Sequence, residues 1–418
     1  MVDVVKERLA LAGLANAGRA LGSRNYRNYI VGNGVSLCGT WMQRVAVGWL
    51  AWQLTHSGTW LGIISTADLV AIALIGPIAG TLADRLERLR VARLVQLAAA
   101  GQGLLLAALS AFNLVTIGVL FALALLQGFI NAVDGPTRLA LVPTLVDRPG
   151  LSSALAINSI VFNLARFVGP VAAGLAIDHG GVALAFALNA ASYLCFFAAL
   201  LTVRLARVEP AGAERGLLSA TVEGIGYALR HRGLGPVLLV LLVSAIGLRG
   251  AMELLPGFAD AVFRRGPQGL AWLTAVTGLG AMAGGIWMIR RGGRGLVPLL
   301  ILHLLGSAVA IAGFAATHLF WLASLCLFGA GFAMVVTGVS GQTLLQGAVD
   351  PAMRGRVMSL YGIIFRGGPA LGALVMGLFS ADVGLQAPVI GAAVLTACYW
   401  AWAKLRQRRL AAALEVAP

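Results

Sequence analysis

Twelve stretches of predominantly apolar residues divide this chain, at about 29–54, 60–82, 93–112, 115–135, 153–177, 182–203, 235–257, 268–289, 296–316, 319–341, 357–380 and 386–403. A helix of about 20 residues crosses the roughly 30 Å hydrocarbon core of a bilayer, so each stretch is long enough to span. The islands between them are polar and mostly short. The pattern predicts an all-α integral membrane protein of twelve transmembrane helices, in which each helix satisfies its own backbone polar groups.

The islands add organisation. The densest runs from Gly80 to Arg93 (GTLADRLERLRVAR), a charged loop forced to the water boundary by the apolar walls on either side. The longest, 204–234, carries Arg204, Arg207, Glu209, Pro210, Glu214, Arg215, Arg230 and Arg232 and separates two six-helix halves. The expected division is a cytoplasmic amphipathic segment 1–28, a first half 29–203, a cytoplasmic middle loop 204–234, a second half 235–403 and a cytoplasmic tail 404–418. An internal echo supports it. Val146-Asp147-Arg148 recurs as Val349-Asp350, and Arg166 with Gly169-Pro170 recurs as Arg366 with Gly368-Pro369, a degenerate parallel repeat. Residues 4–21 read as a helix lying along the inner membrane surface.

Composition sharpens the class. The 418 residues are 59% hydrophobic and 11% charged, with a mean hydropathy of +0.88, well outside the soluble range. The net charge of +15 reports topology. With the N-terminus inside, 25 of the 31 lysines and arginines fall on the cytoplasmic side and 2, Arg264 and Arg265, on the other. That asymmetry places both termini in the cytoplasm and leaves no need for a nucleic-acid partner. Residues 1–27 lack a signal-peptide profile, so the first span is expected to act as the insertion signal. Cys38, Cys195, Cys326 and Cys398 stand singly in apolar runs, without disulfide or metal spacing. The preference for arginine over lysine, with abundant alanine and glycine, fits a bacterial protein of the plasma (inner) membrane.

Ionisable groups inside a bilayer cost about 2.5–3.5 kcal/mol each at a helix centre, and so face a partner or an aqueous cavity. Here they are Arg44, Asp68, Arg166, Arg249, Glu253 and Arg366. On the first span, Asn33, Ser36, Thr40, Gln43 and Arg44 share one helical face, a stripe expected to line a central cavity. Asp68 on the second span lies at matching depth to Arg44, either as its permanent ion-pair partner or as a proton-handling group. The fifth span carries Asn158, Phe162 and Arg166 at i+4 spacing beside Asn163, the leading substrate stripe, followed by Gly169-Pro170, where a bend or a close helix approach is expected. Gln127, Asn131 and Asp134 form a polar face on the fourth span, with Arg138 four residues after Asp134; a loop-end ion pair or a gate explains that pair equally well. Gln342 and Gln346 share a face on the tenth span. Arg249 and Glu253 read as a structural pair, and His303 as a satisfied interior histidine.

Gly80-x-Leu82-Ala83-Asp84-Arg85-x-x-Arg88 resembles the loop 2–3 signature of the major facilitator superfamily of transporters. Gly169-Pro170-x-x-x-Gly174 resembles the fifth-span signature of its exporters, with Ala165 in place of the upstream glycine. Gln127-Gly128 resembles the fourth-span signature of proton-coupled members, with Ala124 where that signature has arginine. Across nearly the whole chain, Gly39-Thr40-Trp41-Met42-Gln43-Arg44, Asp134-Gly135-Pro136-Thr137-Arg138, Asn158-Ser159 with Asn163-Leu164-Ala165-Arg166, and Arg354-Gly355-Arg356-Val357-Met358-Ser359 are similar to the enterobactin-exporter branch, which includes macrolide-efflux relatives.

The resemblance implies the major facilitator fold and secondary active efflux by alternating access, a proton-coupled antiporter with a small-molecule substrate, protons and the lipid bilayer as partners. A monomer without a cofactor or metal is expected. An importer or uniporter, or a lipid-moving relative, is the alternative. An enzyme is not indicated, since HExxH, GxSxG, GxGD and P-loop patterns are absent from the sequence. Arginine forks at Arg44, Arg166 and Arg366 suit an anionic or acceptor-rich, siderophore-like or drug-like compound. Asp68 is then the candidate proton-coupling group. The resemblance also implies a conformational latch of Gly80, Asp84, Arg85 and Arg88 with Arg354 and Arg356, in which Asp84 caps the start of the eleventh span. Arg290-Arg291-Gly-Gly-Arg294 lacks the matching aspartate, so this latch is one-sided.

Overall fold

The computed structural model describes residues 18, 20–85, 87–204, 225–228, 230, 231, 233–351 and 353–415, with no side-chain detail for 76–85. The expected surface helix at 4–21 and most of the middle loop fall outside the described residues.

Helices account for the architecture, and there is no strand among the described residues. They are α1 (Arg24–Thr55), α2 (Gly58–Arg85), α3 (Arg88–Ala111), α4 (Ile117–Leu145), α5 (151–179), α6 (182–202), α7 (234–262), α8 (Gly266–Arg291), α9 (Leu296–Ala316), α10 (Phe320–Ala348), α11 (Arg354–Val383), α12 (Gln386–Leu405) and a short amphipathic α13 (Gln407–Leu414). Among the described residues, ten helical segments are long and apolar enough to cross a membrane. One of these, Arg148–Thr202, holds both α5 and α6, because its helical path breaks at Gly180 and Gly181. Gly181 takes φ +68°, a left-handed conformation that side chains disfavour, which is why a glycine stands there. The polar stripe of α1 keeps it outside the ten. Each of the twelve expected stretches therefore has a helical counterpart.

Local chemistry explains several ends. Thr116 caps α4 by accepting from the Val119 backbone N–H at 3.3 Å. Gly292, Gly295 and Gly384 take positive φ in the turns that follow or precede α8, α9 and α11. Helix α7 is not regular. It contains two π-helical stretches, Ala245–Arg249 and Phe258–Val262, with Leu255–Gly257 between them.

Two compact units emerge: Met1–Ala46 with Val70–Glu214, and Val47–Leu69 with Arg215–Pro418. The first is built around Tyr26, Tyr29, Phe196 and Leu200, where the Tyr29 and Phe196 rings meet edge to face at 5.6 Å. In the second, close helix approaches dominate. A side chain on Gly331 of α10 would run into the Thr277 carbonyl of α8, and Gly280 of α8 lies against the Phe328 carbonyl of α10. Residues 47–69, placed in the first half by the sequence reading, pack within the second unit. Thr59 Oγ1 donates to the Gly377 carbonyl at 3.0 Å, Trp52 Nε1 donates to Asp260 Oδ2 at 2.9 Å, and Gly62 rests on the backbone of Ala373 and Leu374.

Candidate functional site

In the first unit α5 lies directly on α1. A Cβ at Gly169 would sit 2.5 Å from Trp41 Cβ and 2.7 Å from the Cys38 carbonyl, so only glycine permits this approach. Pro170 is buried beside it. The register that follows brings the i+4 series of α5 against Trp41. The Arg166 guanidinium lies 5.5 Å from the Trp41 ring centroid, and that of Arg44, from α1 itself, lies 5.7 Å from the same ring. Phe162 meets Trp41 edge to face at 6.1 Å and is 44% exposed. Arg44 is exposed, while Trp41, Asn158, Asn163 and Arg166 are half-buried. Two planar donor forks held on one indole, with a second aromatic ring alongside, form a surface suited to carboxylates, catecholates or phosphates.

The polar stripe of α1 is divided rather than presented as one face. Arg44 stays exposed, but Asn33, Ser36 and Gln43 are 2%, 0% and 4% exposed and turn into the interior of the first unit. Polar partners on neighbouring helices draw them in, because a buried amide or hydroxyl must be hydrogen-bonded. Gln43 donates to Gln102 Oε1 at 3.1 Å and accepts from Asn189 Nδ2. Thr40 donates to the Ser36 carbonyl at 2.8 Å and lies 3.2 Å from the Tyr193 hydroxyl. Gln127 donates to Asn131 Oδ1 at 3.0 Å and to Tyr193 Oη at 3.4 Å, and its own Oε1 is buried without an acceptor bond among the described residues.

The centre of this interior is Arg138. Its Nε donates to Asp134 Oδ2 at 2.6 Å, with side chains only 12% and 15% exposed, and its remaining nitrogens donate to Asn33, Ser36 and Gln96. The guanidinium also lies 4.7 Å from the Phe196 ring centroid. The Asp134–Arg138 spacing was legible as an i,i+4 pair. Its place as a hub joining α1, α3, α4 and α6 was not, because Gln96 and Phe196 carry no signal that points to it. Trp41 stood in the Gly39–Arg44 signature without a role of its own.

Other expected site residues stand apart. Asp68, on the portion of α2 that packs in the second unit, is exposed, and one turn before it Ser65 Oγ donates to Glu253 Oε2 at 3.5 Å. Arg249 donates to the Phe365 carbonyl at 2.8 Å and stacks 3.8 Å from the Phe365 ring centroid. Arg366 is exposed and Gln342 half-buried, both in the second unit. His303 sits in an aromatic cluster with Trp287 and Phe332 and bonds the Leu299 carbonyl at 3.0 Å. Of the latch residues, Gly80, Asp84 and Arg85 fall in the part of α2 whose side-chain detail is not described. Arg88 donates to the Ala140 carbonyl at 3.4 Å, Arg354 is exposed, and Arg356 contacts the Met353 sulfur at 3.1 Å.

Comparison with known proteins bears on the family and the fold. The sequence model of the family described as transmembrane secretion effector matches residues 20–415. The enterobactin exporter EntS of Escherichia coli O81 (strain ED1a) is 29% identical over 364 residues, 84% of each chain. The staphyloferrin A transporter of Staphylococcus aureus (strain NCTC 8325 / PS 47) is 30% identical over 166 residues, covering 39% of this chain and 41% of that protein. In fold, the chain is similar to a bacterial homologue of the human lysosomal transporter Spinster, with a TM-score of 0.76 at 15% identity over 94% of this chain and 99% of that one. It is also similar to the nucleoside transporter NupG, with a TM-score of 0.68 at 14% identity over 94% of this chain and 100% of that one.

Proposed function

The chain belongs to the transmembrane secretion effector family of the major facilitator superfamily and is a multi-pass membrane transporter; from this premise we propose that it is a proton-coupled exporter of a small anionic or acceptor-rich organic compound. The observation that carries the proposal is the pair of guanidinium groups, Arg44 and Arg166, on the Trp41 indole beside Phe162. Bidentate forks recognise carboxylate and catecholate oxygens, and an indole face adds stacking for a flat or aromatic cargo. The cargos named for two relatives, enterobactin and staphyloferrin A, support a siderophore-like reading.

In this proposal the protein works in the bacterial inner membrane as a monomer with both termini in the cytoplasm, moving cargo by alternating access. Arg366 contributes a further donor fork and Gln342 a neutral contact, while Asp84 with Gly80, Arg85, Arg88, Arg354 and Arg356 form the latch. Asp68 is the group that couples transport to protons. Inside-out vesicles test this directly. They should accumulate radiolabelled enterobactin or staphyloferrin A when a proton gradient is imposed and lose that accumulation with a protonophore. Uptake indifferent to the protonophore would make the chain a uniporter.

A further inference from the structure

We propose that Arg138 is a positioning residue that fixes the hydrogen-bonding polarity of the transport face, forcing Asn158 to present its amide N–H groups outward through the intermediate amide of Asn33. The inference takes its meaning from the anionic-cargo reading of that face, but it stands on geometry alone.

A guanidinium has donors and no acceptor. Whichever atom of Asn33 meets Arg138 Nη1 must therefore be the amide oxygen, and the structure has Asn33 Oδ1 there at 2.5 Å. The Asn33 Nδ2 is then obliged to face the other way, where it donates to Asn158 Oδ1 at 3.2 Å. Asn158 spends its oxygen on that bond. What it offers to the exterior of the unit is Nδ2, a donor with no acceptor among the described residues, on the same α5 face as Phe162 and Arg166. From α4 through α1 to α5, each donor meets an acceptor and fixes the orientation of the next amide.

Arg138 is itself held from turning. Asp134 takes its Nε through Oδ2, and Gln96 closes the ring by donating Nε2 to Asp134 Oδ1 at 2.9 Å while accepting from Arg138 Nη2 at 3.4 Å. The second Arg138 bond from Nη2 goes to Ser36 Oγ at 3.1 Å. Burial makes the orientation firm, since Asn33 is 2% exposed and water cannot substitute for a misdirected partner. The consequence for specificity is that α5 displays donors at both Asn158 and Arg166. An acceptor-rich cargo is welcomed, and a cargo that brings N–H groups to the same place meets donor against donor.

Exchange of side-chain amide protons with water tests this on the full-length chain in lipid nanodiscs, without any cargo. Asparagine-selective ¹⁵N labelling, with assignment by Asn158→Ser and Asn33→Ser, reads the two amides separately. In the wild type the Asn158 protons should exchange about two- to twelvefold faster than those of Asn33, the factor expected for one hydrogen bond. In Asn33→Asp the carboxylate can only accept, from Arg138 and from residue 158 alike, so Asn158 must turn Nδ2 inward and its exchange should slow by roughly tenfold. Arg138→Lys keeps a pure donor and should preserve the wild-type pattern. Protected Asn158 protons beside exposed Asn33 protons in the wild type would overturn the proposal, as would Asn158 exchange unchanged by Asn33→Asp. If that variant does not insert, the wild-type measurement decides. Failure here leaves the cargo reading intact, and failure of anion transport leaves the amide exchange unaltered.

Discussion

Trp41 is the residue on which the proposed transport face converges, since Arg44, Phe162 and Arg166 all pack on its ring. Trp41→Ala leaves both charges in place and removes the platform that holds them. A cation–π contact is worth about 0.5–2 kcal/mol, so KM for an anionic cargo should rise about two- to thirtyfold with expression unchanged. Initial rates over a cargo titration in inside-out vesicles would show it, and an unaltered KM would reduce Trp41 to packing. Asn158→Asp is a sharper probe. The carboxylate still accepts from Asn33 Nδ2, so the interior bond survives while the outward donor becomes a negative charge. KM for an anion should then rise at least about tenfold, at unchanged thermal stability. A KM equal to that of the wild type would mean that Asn158 does not meet the cargo.

At the scale of the helix, glycine sets the geometry more than any polar contact does. Gly331 and Gly280 let α8 and α10 touch backbone to backbone, and Gly331→Leu should prevent that crossing and leave little protein in the membrane. Gly338, on the same helix, has open space around its Cα, so Gly338→Ala should accumulate as the wild type does. Quantification of membrane-inserted protein separates the two, and equal amounts would contradict the crossing. Helix positions were legible from hydrophobicity: α9 occupies 296–316 as expected, and the break between the fifth and sixth spans falls at Gly180–Gly181, inside the expected gap. Helix direction was less legible. Spacing puts Asn33, Ser36 and Gln43 on one face, but which way that face turns depends on Gln96, Gln102, Arg138 and Asn189, all distant in sequence. The π-helical stretches of α7 had no sequence signal either, since an apolar run reads the same at 3.6 residues per turn or at a wider pitch.

For the molecule as a whole, charge asymmetry predicts an orientation. With 25 of 31 basic residues on one side, a fluorescent protein fused to the C-terminus should fluoresce, and alkaline phosphatase fused after Arg265 should be active. The opposite pattern would invert the topology. Energy coupling is also a property of the whole cycle. Asp68→Asn should abolish accumulation against a gradient yet keep cargo exchange across the membrane, because binding and coupling are separate tasks. Uphill transport by that variant would return Asp68 to a structural ion-pair role. The superfamily was legible in the loop and helix signatures and the proposed cargo class in the three arginines, whereas the meeting of two of them, from α1 and α5, on one indole was not.

The most direct measurement is uptake of labelled enterobactin by inside-out vesicles carrying matched amounts of wild-type or Arg166→Ala chain under the same proton gradient. Uptake should fall at least roughly tenfold in Arg166→Ala, with partial recovery in Arg166→Lys, which keeps the charge but not the fork. Wild-type uptake by Arg166→Ala, or faster uptake of lipophilic cations than of anions by the unaltered chain, would contradict the anionic-cargo reading.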